Sequence, residues 1–297
     1  MSRHLIVSPL LAALCAGILS APLMLPAKAV AHGGVAPPLG LWGPFGARTV
    51  HCLRVISRAT HRCFREVLAT RRGCADQQLA GVSCDVAADA ARVEAAVGAA
   101  TAAVDVACFG GQLTELYFAS FDDAKTDIRR ACRAEADAAM FMLYPSQLTV
   151  RAAAGNDDTT AQCMIRVSAL NQKVLDHLMR MKGRTLERIA FRVLGPSVKI
   201  AMISRVEARA ARVLDRLAAR LHQECTGFQE IYGYTPRDLL GRLGRRGDCV
   251  VQATCFQTAI SCPAAECGNG IWEFGEACDD GNDVETDECR SDCTLGS

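Results

Sequence analysis

The residues with most chemistry to offer are the cysteines, 16 in a chain of 297 residues. No two of them form a CxxC pair, so the zinc-ribbon, thioredoxin-type and CxxCH haem patterns are all missing. Sulfur in such quantity without metal or redox spacing points to disulfides, and hence to an oxidising compartment. His51 directly precedes Cys52 and His61 lies close by, the residue types of a thiolate nucleophile and its base. Cys52 stands on an apolar helical stripe and is matched by Cys163 later in the chain, so a structural sulfur is the stronger expectation. There is no GxSxG, HExxH or P-loop pattern, which leaves hydrolase and nucleotide chemistry without a motif.

Two charged constellations stand beside the sulfurs. Arg205, Arg209, Arg212, Arg216 and Arg220 recur at helical spacing and line one face, an anion-binding strip for phosphorylated lipid, acidic polysaccharide or nucleic acid. The plainer reading is a solvated face, partly paired with Glu207, Asp215 and Glu224. Near the C-terminus Glu276, Asp279, Asp280, Asn282, Asp283 and Asp287 offer hard oxygen ligands around Gly281, a candidate calcium site and the one cofactor to consider. The EF-hand template fails there, because Gly281 and Arg290 fall where a loop starting at Asp279 needs ligands. A turn-rich acidic loop is the alternative. The near-neutral total of 33 basic and 32 acidic residues hides this division. Nucleic acid is disfavoured by the low aromatic content of 5%.

These groups need elements to hold them. Residues 1–31 read as a signal peptide, with Arg3 and His4 before the apolar run Leu5 to Leu25 and an A-x-A site at Ala27–Ala29 or Ala29–Ala31. Cys15 follows Leu14, where a lipobox needs a small residue, so plain cleavage is expected. That leaves 15 cysteines, an odd number, so at least one thiol is unpaired or bonds to another chain, a disulfide-linked dimer being the second of these alternatives. Cleavage also sets His32 at or near the new terminus, in a position to chelate copper or nickel, which we take as coincidence. No later stretch approaches the ~20 apolar residues of a transmembrane helix. Residues 32–47 are rich in glycine and proline and read as a linker.

From Arg48 onward the periodicity is helical. Cys52, Ile56, Ala59, Cys63 and Val67 form one stripe, with Gly73 and Gly81 expected to punctuate its end. Val86, Val93, Val97, Val104 and Cys108 form a second, broken at Gly110-Gly111. A third runs from about Asp123 to Leu143, before Pro145. The pattern then restarts at Cys163. Cys108 to Cys132 and Cys225 to Cys249 both span 24 positions, with Gly110/Gly227, Gln112/Gln229, Tyr117/Tyr234 and Arg129/Arg246 in the same register. The expected fold is all-α, with two diverged disulfide-linked helical copies, residues 48–150 and 156–262. The simplest staples are Cys108–Cys132 and Cys225–Cys249. In the second copy Val167 to Val193 form one long helix or two joined at Gly183, ending before Pro196. Val206, Ala210, Val213, Leu217 and Leu221 face inward on the next.

Residues 266–297 contain Cys267-Gly268-Asn269-Gly270, Gly275-Glu276-Ala277-Cys278-Asp279-Asp280-Gly281-Asn282, Asp287-Glu288-Cys289 and Cys293. This run resembles the myxococcal-type cysteine-rich repeat, with Glu288 where that family usually has glycine. The resemblance implies an exported or surface-bound life and no particular reaction. Two disulfides among Cys267, Cys278, Cys289 and Cys293 are expected to hold so small a module, in any of three pairings. The helical region, through Cys52-Leu53-Arg54-Val55-Ile56-Ser57-Arg58-Ala59, resembles exported cysteine-containing helical proteins of myxobacteria-like bacteria that have no characterised activity. The expected role is a secreted or cell-surface, non-enzymatic binding or structural protein whose partner is another protein or an envelope glycan. The alternatives are an exported enzyme without a motif and an anionic-envelope binder using the arginine strip.

Overall fold

Buried residues recur at three- and four-residue steps from Thr49 to Leu68, and they form the inner face of a 33-residue helix, α1 (Ala47–Leu79). The structure, a computed structural model, describes residues 44–144 and 158–254. The segments expected to be a signal peptide, most of the linker and the C-terminal module lie outside the described residues. Helix α1 runs straight through Gly73 and closes only at Gly81. A single glycine costs a helix about 1 kcal/mol, which the packing and the Cys74–Cys84 bond beyond it offset.

Helix α2 (Val86–Ala107) starts on Asp85, whose side chain accepts from the Ala88 amide at 2.9 Å. It returns along α1 and buries Val93, Val97 and Val104, whereas Val86, expected inward, belongs to the first turn and is exposed. The short α3 (Gly110–Glu115) leads to α4 (Phe121–Arg129), capped by Ser120. A π-helical turn, Arg130–Ala134, joins α4 to α5 (Glu135–Leu143) and carries Cys132 inward.

The second half opens likewise on two long helices. Helix α6 (Asp158–Phe191) is one continuous element of 34 residues. It ends short of Pro196, which instead occupies the first turn of α7 (Pro196–Glu224), where a missing amide costs nothing. Val193 falls in the turn between them and is exposed rather than inward. The one-turn α8 (Phe228–Tyr232) is bracketed by Gly227 and Gly233, both at positive φ, and α9 (Pro236–Gln252) begins on a Thr235 cap. No strand occurs among the described residues, and the fold is all-α.

Helices α1 and α6 run antiparallel through the centre. The Phe45 amide donates to Ala190 O at 2.8 Å at one end, Arg54 meets Glu187 at 3.3 Å, and Arg65 reaches Asp176 at 3.7 Å midway. Arg65 and Asp176 each stand thirteen residues beyond Cys52 and Cys163, respectively. Helix α2 covers α1, α7 covers α6, and α9 packs on α6 and α7 while touching α5. Leu53, Ile56 and Phe64 from the first half and Met164, Leu175 and Met179 from the second belong to one buried cluster. The two expected helical copies share one core, because each half's long helix packs against the other half's as well as against its own neighbours.

Candidate functional site

The sulfurs define the most distinctive geometry. Cys52 bonds Cys108, Cys63 bonds Cys132, Cys74 bonds Cys84 and Cys163 bonds Cys225. The expected Cys108–Cys132 and Cys225–Cys249 pairings are therefore wrong, although all four residues are in disulfides. The physical reason lies in the long helices. Cys52 and Cys63 sit on the buried face of α1, where they meet Cys108 at the end of α2 and Cys132 in the π-helical turn, so each of these bonds takes one sulfur from α1 and Cys108 and Cys132 do not meet each other. Cys163 on α6 takes Cys225 just as Cys52 takes Cys108. Val174 occupies the place on α6 that Cys63 has on α1, counted from Cys163 and Cys52. Cys249 is also in a disulfide.

These bonds remove two chemistries. With its sulfur bonded to Cys108, Cys52 has no thiolate for the exposed His51 to activate. Cys74, Cys84 and Asp89 come within 4.8 Å of one another, but both sulfurs are already bonded, so they do not form a metal-binding thiolate set. The calcium candidates Glu276, Asp279, Asp280, Asn282, Asp283 and Asp287, and Cys267, Cys278, Cys289 and Cys293, lie outside the described residues.

His61 turns away from Cys52 and toward α6. A Cβ placed on Gly183 would stand 3.1 Å from its Cε1, which explains why a glycine interrupts the middle of that long helix. Its Nε2 is sealed from solvent without a hydrogen-bond partner, and burial pushes the imidazole pKa down to about 4.

Two polar networks that sequence reasoning missed brace each half from within. At one end Tyr144 donates to Asp76, which also faces Arg72 at 3.6 Å. Burial raises the Asp76 carboxyl, while Tyr144 and Arg72 pull it back. Both Tyr144 and the buried Tyr232 are driven upward by burial, so neither phenol ionises near neutral pH. On the second half, buried Lys182 bridges Asp248 and, at 2.9 Å, Glu207. Burial raises Asp248 despite that cation. Arg246 and Glu135 form a further buried pair at 3.5 Å between α9 and α5. No local sequence pattern marks the long-range partners, because Tyr144 and Asp76 stand 68 positions apart and Lys182 and Asp248 stand 66 apart.

The arginine strip is where periodicity placed it. Arg205, Arg209, Arg212, Arg216 and Arg220 are all exposed on α7, on the face flanking its buried Val206, Ala210, Leu217 and Leu221. Val213, expected inward, is only partly covered. Arg220 pairs with Glu224 at 2.7 Å, and Arg216 donates to the Arg212 carbonyl. The expected partner Asp215 is taken by Arg237, and Glu207 by Lys182. Arg205, Arg209 and Arg212 have no acidic partner among the described residues. Two shallow, open depressions lie along this face, one bordered by Arg212 and Arg216, the other by Arg166 and Arg220. No helix among the described residues is long and apolar enough to cross a membrane. No family model, curated protein or solved structure matches the chain.

Proposed function

We propose that this chain is an exported, non-enzymatic binding or structural protein, in which two related helical copies form a sulfur-braced body that carries the cysteine-rich module. The observation that carries this reading is the pair of equivalent staples, Cys52–Cys108 and Cys163–Cys225, set at the same place in each half of one core. Bonds of this kind persist in an oxidising compartment and would be reduced in a cytosol. Intact mass of the protein recovered from culture medium and from envelope, with and without reduction and alkylation, tests it. An oxidised chain beginning at Val30 or His32 supports the reading. A full-length, reduced chain in the cytoplasm overturns it and restores Cys52 and His51 to an enzymatic reading.

The arginine strip favours a second, compatible reading, in which this body holds an anionic envelope polymer. Three guanidinium groups without acidic partners on one helix face are an electrostatic site for phosphate or carboxylate.

A further inference from the structure

We infer that the turn joining α6 to α7 is a docking tip for the surface of an anionic lipid bilayer. Phe191, Val193, Val198 and Ile200 are exposed by 57%, 87%, 47% and 47%, so four large apolar side chains project within ten residues at one end of the bundle. Isolated exposed apolar residues need no explanation, but four of them within ten residues at a helix–helix turn do. The exposed Val106 and Phe109 lie at the same end, since Cys108 is bonded to Cys52 near the start of α1 and the Phe45 amide reaches Ala190.

Charge decides what covers this tip. From Arg188 to Val206 the sequence has no acidic residue, while Arg188, Arg192 and Arg205 are exposed and without acidic partners among the described residues. The bordering acids are already engaged, Glu187 with Arg54 and Glu207 with Lys182. At 1.5 Å per residue, Arg205 stands roughly 13 Å behind Pro196, and Arg188 about one turn behind the end of α6. An apolar tip with cations set back by that distance matches a bilayer interface, where side chains enter about 5–10 Å and the cations remain among lipid phosphates. The uncapped start of α7 at Gly195 adds the positive end of its dipole at the same depth. A second protein copy brought tip to tip would instead set these arginines against one another.

This inference rests on the reading of an exported binding protein and names the partner surface. The test is cosedimentation of the purified, oxidised protein with phosphatidylcholine vesicles, with and without phosphatidylglycerol. Binding is expected only with the anionic lipid, and to weaken as salt rises. The double variant Phe191→Ser/Val193→Ser, at two exposed positions, is expected to bind about tenfold or more weakly with its helical circular dichroism unchanged. Arg188→Glu/Arg192→Glu should also lose binding. No binding to anionic vesicles overturns the inference. So does binding undiminished by the serine variant, which would assign recognition to the arginines alone, or a concentration-dependent dimer that this variant abolishes. None of these outcomes alters the export and oxidation state read by mass, so the two readings fail separately.

Discussion

His61 carries an imidazole whose pKa falls to about 4 in the folded protein against 6.5 ordinarily. The unfolded chain therefore binds the extra proton first as pH drops, so stability is lost as pH falls from about 6.5 to about 4, by at most about 3 kcal/mol. Asp76, Glu135, Asp137 and Asp248 are shifted upward by burial and act in the opposite sense, favouring the folded state on protonation. Urea unfolding midpoints across this range should fall less steeply with acid in His61→Gln than in the parent. An equal slope in the two proteins would show that the imidazole is not held neutral. At this scale the sequence is only partly legible. The apolar stripe around Cys52 declares that cysteine structural, but His61 reads as its potential partner until α6 is laid against α1. The glycine that accommodates it lies more than a hundred positions away, so local periodicity has no access to the contact.

Helices were the legible elements because each buries a stripe of fixed period, and their order could be read almost residue by residue. Their ends were less so. Gly73 and Pro196 are the usual signals for a stop, yet the first is overridden by packing and the second starts a helix instead. Disulfide pairing was not legible at all, since it depends on which faces meet in space. The pairing has an energetic consequence. Cys52–Cys108, Cys63–Cys132 and Cys163–Cys225 close loops of 56, 69 and 62 positions, whereas Cys74–Cys84 closes one of 10. On the chain-entropy account, losing a long-loop staple costs about 4 kcal/mol and losing the short one about 2.7 kcal/mol. Cys163→Ala/Cys225→Ala should therefore lower the thermal midpoint more than Cys74→Ala/Cys84→Ala, as measured by calorimetry. The reverse order would mean that local strain outweighs loop closure here.

At the scale of the molecule, the shared core makes the two halves one cooperative unit. Calorimetry of the intact protein should give a single transition for the helical body, and residues 44–144 or 158–254 alone should be less stable than the whole, because each leaves in water the side of its long helix that faces the other half. Two separate transitions would restore the picture of independent bundles. The arginine strip and the apolar tip belong to this scale too. Both are spread over surface, and the tip was hidden in the sequence because Val193 and Val198 continue a hydrophobic pattern that ends only when the chain turns.

The central contact between Arg65 and Asp176 has one more consequence. Both residues hold the same place in their respective halves, and the antiparallel crossing of α1 and α6 sets that place against itself. Were either half to dimerise with another copy of itself, arginine would meet arginine or aspartate would meet aspartate at the crossing point. On the proposed two-copy reading, the pair therefore favours each half's contact with its counterpart within the chain over contact with its own likeness on a neighbouring molecule.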